Sequence, residues 1–374
     1  MIKEKTMEVI FMKYVLVINP GKTSTKMALY STGAVEIEER TLNHNVNGEV
    51  NREEIVSQLP MREEAILEVM KERGIGLTDL AAVITRGGLL KPVVGGTYLV
   101  DEEVKEDSLS AKAGEHISNL GGLLASSIAE KAGVSAYIMD PLSTDEMEEV
   151  ATFTGIKNER RGALAHYLNV KGVTRKACED HGYSYDQDHF IVAHLGKGFS
   201  IGAMKKGKLT DVNQANQGGP FTPERAGTLP TSVILDHAFS GEEDKVSLFQ
   251  KYQRQSGLLS HLGTSDAKIV EKNIYNGDAY AEKVYDALAY QIAKEIGSMA
   301  ASLKGQVKAI LITGGLAYSS LLMAKVKDYI SFIAPIHLYG GDVEMEALYK
   351  GAMRILNQEE EILNYHEEVQ REKF

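Results

Sequence analysis

Two short loops hold residues suited to chemistry on an anion. Gly21-Lys22-Thr23-Ser24-Thr25-Lys26 is dense in small, hydroxylated and cationic residues. Glycine lets a backbone come close to a ligand, N–H and hydroxyl groups can ring an anion, and Lys26 adds charge. Gly196-Lys197-Gly198-Phe199-Ser200 is a second loop of the same kind. Each is either an anion cradle or an ordinary polar turn, and the presence of both favours the cradle. Gly21-Lys22-Thr23 also imitates the end of a nucleotide-binding P-loop. That motif needs a glycine at position 16, which is Leu16, and a helix after the loop. Residues 26–30 instead read as a strand, so the P-loop is rejected.

Carboxylates stand at two further turns. Asp140 ends the apolar run Ala136-Tyr137-Ile138-Met139 ahead of Pro141. Ligands of α/β sheets gather at such strand ends. Asp140 is thus either a Mg²⁺ ligand or a turn-starting residue. Gly340-Gly341-Asp342-Val343-Glu344 places two more carboxylates in a glycine turn. Glu344 or Asp342 could complete the metal site, and Asp342 is also placed to cap the helix that follows. Arg86 follows a buried strand and precedes Gly87-Gly88. Arg225 lies in 218–227, a stretch too rich in Gly and Pro for a helix. The planar guanidinium suits carboxylate or phosphate, the alternative for each being a surface ion pair.

The elements that must position these residues repeat. Residues 15–22 read as a strand ending in a glycine turn, and 191–197 read the same way at an offset of 175. Both continue into a second strand and a turn at Gly33 or Gly207, which makes each a β-hairpin. Ala81-Ala82-Val83-Ile84-Thr85 before Gly87-Gly88 matches Ala309-Ile310-Leu311-Ile312-Thr313 before Gly314-Gly315. A duplicated domain follows. Helical spacing marks 62–73 (Ile66, Val69, Met70, stopping at Gly74) and 280–303 (Val284, Leu288, Ile292, Ile296, Met299). Ser143-Thr144-Asp145-Glu146 has the form of a capping box and predicts a helix start. Residues 345–369, with Met345, Leu348, Ala352, Ile355 and Ile362 on one stripe, predict a long terminal helix.

Composition narrows the class. The 374 residues, 43% hydrophobic and 25% charged, are those of a globular protein, with two domains the natural reading of the length and three the alternative. A net charge of −11 disfavours a broad nucleic-acid surface. No apolar run approaches the roughly 18–20 residues of a membrane span, and the N-terminus does not resemble a secretory signal. The one cysteine, Cys178, reads as an inert packed thiol, and the expected location is the cytoplasm, away from membranes.

In order along the chain, these motifs resemble the acetate and butyrate kinase family of the sugar-kinase/Hsp70/actin superfamily, the butyrate kinase branch most closely. The V-x-N-x-G-x-x-S-x-K signature stands at residues 17–26, H-L-G-x-G-x-S at 194–200, and 83–98 looks like butyrate kinases in particular. The resemblance implies an α/β fold of two duplicated actin-like (ribonuclease-H-like) domains, each with a mixed sheet, around a central cleft. It puts 12–145 plus 346–374 in the N-terminal domain and 146–345 in the nucleotide-binding domain, with 1–11 as an extension.

By the same resemblance Asn19, Ser24 and His194 line the phosphoryl path, with Lys26, Gly196 and Gly198 in the phosphate loops. Arg86 and Arg225 serve substrate carboxylate and transition state. Asp140 and Glu344, with Asn19, are the magnesium-associated positions. Gly314 and Gly315 flank the adenine, and Asp266 is a nucleotide-side position. His166 is either the family's phosphate-contacting histidine or a packed helix histidine. Acetate kinases carry valines where this chain has Gly87 and Gly88, which implies room for a four-carbon acyl chain. The implied reaction is ATP + butyrate ⇌ ADP + butyryl phosphate with Mg²⁺, in a homodimer or higher homo-oligomer. A kinase for isobutyrate or acetate is the nearest alternative, and an actin- or Hsp70-like ATPase a more distant one.

Overall fold

Two β-hairpins, one in each half of the chain, seed two separate sheets. The computed structural model describes residues 12–46, 52–214 and 216–369, so the extension 1–11 lies outside the described residues. These residues form two compact units. One comprises the chain up to Ser143 together with the part from Met345 onward, and the other is Thr144–Glu344.

The first unit carries β1 (Tyr14–Pro20), β2 (Ser24–Ser31), β3 (Glu36–Asn43), β4 (Leu80–Arg86), β5 (Thr97–Leu99) and β6 (Ser135–Met139) in the order β3-β2-β1-β4-β6-β5. β1 pairs antiparallel with β2 and parallel with β4, and β4 pairs parallel with β6. The second unit carries β7 (His189–Leu195), β8 (Phe199–Lys205), β9 (Lys208–Val212), β10 (Ala309–Gly314) and β11 (Ile336–Gly340) in the order β11-β10-β7-β8-β9. Its pairings repeat the first five: β7 is antiparallel to β8 and parallel to β10, which is parallel to β11. β7 begins and ends 175 residues after β1, as the internal repeat requires. Among the described strands only β5, antiparallel on β6, has no counterpart.

Alternation decides which face of each strand packs. In the first unit Leu16, Ile18, Met27 and Leu29 join Ile66, Val69 and Met70 of the helix Leu59–Glu72 and Leu120, Leu124 and Ile128 of the helix Asn119–Ala132. β7 is buried on both faces, which is why residues 190–193 read as an unbroken apolar run. Ile191 and Ala193 pack with the helix Ala279–Ser302, and Phe190 and Val192 pack with the helix Tyr167–His181. Each of the larger side chains, Phe190, Ile191 and Val192, contributes about 1.5–3 kcal/mol. The stripe Val284, Leu288, Ile292, Ile296 and Met299 is buried throughout.

Two expectations fail. No helix starts at Ser143–Glu146: the next helical residue is Glu149. The hydroxyl of Ser143 accepts the Leu90 N–H, and Glu146 pairs with Lys171 at 2.6 Å and accepts the Leu209 N–H. Tertiary partners thus take both capping side chains. The terminal helix is Glu344–Leu356 and stops there; after a turn in which Gln358 has φ +61°, the described residues add only the short helix Tyr365–Glu368. Ile362 is therefore exposed, whereas Met345, Leu348, Ala352 and Ile355 are buried.

Candidate active site

In the first unit the loop after β1 closes through the Gly21 N–H on the Ser24 carbonyl, at 2.7 Å. Asn19, one residue before the end of β1, lies directly opposite Lys26 of β2. The Lys26 ammonium lies 2.9 Å from the Glu39 carboxylate on β3, so the sheet itself balances the charge expected of the loop.

Arg86 ends β4 beside Met139 of β6, and Asp140 is the next residue. The adjoining strand ends thus bring a guanidinium and a carboxylate to one edge. Asp140 is buried, with φ +41° and its N–H on the Gly96 carbonyl at 3.0 Å. A non-glycine residue in this region is held there by its surroundings.

Gly87 and Gly88 do not open a pocket. A Cβ on Gly87 would lie 2.5 Å from Pro141 Cβ, and one on Gly88 would lie 2.3 Å from Asn119 Oδ1. The space that larger residues would fill is occupied by the protein. Their smallness serves close packing of the segment after Arg86, which removes the sequence argument for a four-carbon chain.

His116 escaped the sequence reading, since nothing in Gly114-Glu115-His116-Ile117 distinguishes it. Its pKa is lowered to about 4 by burial and then by the charges of Arg86 and Lys22. Its Nδ1 accepts the Ser118 N–H at 3.1 Å. A neutral His116 thus carries its proton on Nε2, a donor beside the two cations.

In the second unit His194 sits on β7 opposite Ser200 of β8 and is buried. Asn169 fixes its tautomer. The Asn169 Oδ1 accepts the Val343 N–H, so its Nδ2 donates to His194 Nδ1, at 2.5 Å. Neutral His194 therefore presents Nε2–H, and a Cβ on Gly196 would lie 3.0 Å from that nitrogen. His166 stacks on His194 with ring centroids 4.1 Å apart. Its backbone N–H and Nδ1 both meet the Ser200 hydroxyl, at 3.2 and 2.8 Å. It precedes the first residue of its helix rather than lying within it, and it belongs to the His194 cluster.

Arg225 lies against Gly198 so closely that a Cβ there would be 2.4 Å from Nη1 and 2.6 Å from Cζ. Its N–H donates to the Thr222 hydroxyl at 3.0 Å, and that hydroxyl donates to the Lys197 carbonyl at 2.7 Å, locking the turn onto the loop. Burial lowers the Arg225 pKa from its usual value. Gly314 has φ +91°, and a Cβ there would strike the Leu195 backbone; Gly315 has open space. Asp266 is exposed and caps the helix Ala267–Tyr275 through the Lys268 N–H at 2.8 Å. Glu344 is the first residue of its helix, and Asp342 stands two residues ahead of it.

The second unit thus gathers His194, His166, Gly196, Gly198 and Arg225, while the first brings Arg86 and Asp140 to adjoining strand ends, with His116 of a loop within the influence of the Arg86 charge. A family model described as the acetokinase family matches residues 159–359. The chain is also 45% identical over 346 residues to a probable butyrate kinase 2 of Caldanaerobacter subterraneus subsp. tengcongensis, covering 92% of this chain and 98% of that one. The chain belongs to the acetokinase family. As a member it is a phosphotransferase with a carboxyl group as acceptor.

Solved structures agree on the fold. Porphyromonas gingivalis acetate kinase superposes with a TM-score of 0.76 at 21% identity, covering 92% of this chain and 100% of that one. A propionate kinase from Francisella tularensis gives 0.69 at 16%, covering 91% and 98%. These likenesses show that this acetokinase family member has the two-sheet, actin-like architecture.

Proposed function

We propose that this chain transfers the γ-phosphoryl group of ATP to butyrate, reversibly, giving butyryl phosphate and ADP. The observation that carries the transfer chemistry is one glycine loop with the Arg225 guanidinium against Gly198 and His194 Nε2 against Gly196. This is a cation and a neutral donor at a glycine loop, suited to the oxygens of a phosphoryl group in flight. The acid itself is suggested by the relative whose printed name is butyrate kinase.

Short-chain acids have pKa values of about 4–5, like side-chain carboxyls, so the acceptor is already ionised at neutral pH and no general base is required. A carboxylate oxygen forms the new bond to phosphorus as the bond to the β–γ bridging oxygen breaks, and ADP leaves. Arg86 orients the carboxylate, with the His116 Nε2–H as a neutral donor nearby. Asp140 and the Asn19 amide of the first unit, and Glu344 of the second, are the residues that would offer Mg²⁺ oxygen ligands in this reading. Among the described residues no cluster of three or more His, Cys, Asp or Glu side chains could hold an ion. When bound, Mg²⁺ neutralises phosphate charge.

A kinase for acetate or isobutyrate is the second reading, favoured by the packing that fills the space beside Gly87 and Gly88. Hydroxamate formation from ATP, hydroxylamine and C2–C5 acids decides between them. The highest kcat/KM is expected for butyrate; a clear acetate preference transfers the assignment, and ATP hydrolysis indifferent to any acid ends it.

The protein is at least a homodimer in this proposal. The helix Thr231–Phe239 has no buried residue although it carries Ile234, Leu235 and Phe239, and Val246 and Phe249 are exposed on the helix Lys245–Arg254. An apolar surface of this kind marks an interface. A cytoplasmic location is in keeping with the lone buried Cys178, whose thiol burial pushes up to about 11, and no described helix is long and apolar enough to cross a membrane.

A further inference from the structure

Arg62, on the helix Leu59–Glu72, is fully buried, and its partners are all neutral. Nε and Nη2 donate to Gln58 Oε1 at 3.1 and 2.7 Å, and Nη2 also donates to the Lys22 carbonyl at 3.0 Å. Nη1 donates to the Ser24 carbonyl and the Thr25 hydroxyl, each at 2.8 Å. All five guanidinium donors are therefore used. Burial alone lowers the pKa to about 10, and the group stays charged at neutral pH. A buried cation whose hydrogen-bond partners are all neutral is costly, and the five donated bonds offset that cost.

What the cation holds is the loop after β1. The Lys22 carbonyl is bound by Arg62, the Thr23 carbonyl by the His44 N–H at 2.8 Å, and the Ser24 carbonyl by Arg62 and the Gly21 N–H. In a trans peptide the N–H points opposite to the carbonyl. Drawing the Lys22 and Thr23 carbonyls inward therefore turns the Thr23 and Ser24 N–H groups outward, at the tip where Lys22 and Thr23 are exposed. A cation on the Lys22 carbonyl also polarises that amide and strengthens its N–H as a donor. The brace continues one step further. The Thr25 hydroxyl accepts from Arg62 and so donates to His44 Nε2, at 2.8 Å. Burial and the Arg62 charge lower the His44 pKa, which favours its acceptor form.

We propose that Arg62 is a positioning residue for phosphoryl transfer: its buried guanidinium holds the loop 21–25 so that the Thr23 and Ser24 N–H groups face the phosphates of the nucleotide. The proposal rests on the kinase reading above. Arg62 touches no substrate in it and acts through the backbone.

Arg62→Met and Arg62→Ala test it in the full chain. Losing the aimed donors should lower kcat about a hundredfold, with the KM for butyrate little changed. Millimolar guanidinium should restore activity to Arg62→Ala, where sodium chloride at equal ionic strength does not. In the wild type, ADP with Mg²⁺ should slow hydrogen exchange of the Thr23 and Ser24 amides, and this measurement decides if neither variant folds. Arg62→Met activity within threefold of wild type, a failure of guanidinium rescue in folded Arg62→Ala, or exchange at both amides unaffected by ADP overturns the proposal. A wild-type protein that makes no hydroxamate from any C2–C5 acid sinks the kinase reading instead, and the exchange experiment with ADP still judges the loop.

Discussion

Gly198 and Arg225 occupy one place between them, and that fact can be tested with a single methyl group. The Arg225 guanidinium lies where the Cβ of any other residue at 198 would stand, 2.4 Å from Nη1. Gly198 is not among the residues at positive φ, so alanine strains no backbone there and the fold should survive. The methyl group must instead displace the guanidinium. Loss of a phosphoryl-transfer arginine costs roughly 10³-fold in turnover, so Gly198→Ala should lose a large part of that and Arg225→Ala all of it. The double variant should be no worse than Arg225→Ala alone, because both changes remove the same interaction. Gly198→Ala with kcat within twofold of wild type would place Arg225 outside the mechanism. The residue types at 196, 198 and 225 were legible in the sequence, whereas this contact was not. The same limit explains Gly87 and Gly88, whose smallness answers to Pro141 and Asn119, residues distant in sequence. His116 stayed hidden because its neighbours Arg86 and Lys22 come from other segments.

Elements were legible where one local pattern decided them. The two hairpins, the strands after them and the helix Ala279–Ser302 follow from apolar periodicity. Ser143 and Glu146 had the right spacing for a cap, yet their side chains are bound to Leu90, Lys171 and Leu209. Such competition cannot be seen from spacing alone. The terminal stripe continued in sequence to Ile362, but the helix ends at Leu356. The helix Thr231–Phe239 is the opposite case: its apolar residues are evident and nothing within its own unit buries them, with Phe239 84% exposed. A second copy of the chain is the proposed cover. Ile234→Glu with Phe239→Glu should convert the dimer to a monomer in light scattering, since two desolvated carboxylates at an apolar contact are unfavourable. A wild-type chain that is monomeric at micromolar concentration would refute the assignment, as would an oligomer that ignores both charges.

At the level of the whole chain, the duplication is unequal in a way that matters for folding. The second unit is continuous, and its two apolar clusters draw on residues 147–343 alone. The first unit is interrupted, and its core needs the far end of the sequence. Tyr365 is buried in that core, its hydroxyl donating to Asp107 at 2.8 Å and accepting the Lys91 N–H at 3.0 Å. Tyr349 stacks on Tyr30 with centroids 4.4 Å apart and donates to the Ser31 carbonyl, and the Leu363 N–H donates to the Thr97 carbonyl. Removing these groups strips a buried aromatic, worth about 3–5 kcal/mol in typical truncations, and leaves buried polar groups unsatisfied besides. That is a large share of the roughly 5–15 kcal/mol that holds a domain. A fragment spanning 144–344 should therefore melt cooperatively by circular dichroism. A fragment spanning 12–143 should not, until 345–369 is joined to it through a flexible linker. Cooperative melting of 12–143 alone would show that the C-terminal segment only decorates the first unit, and a molten 144–344 would show that the second unit depends on the first for its core.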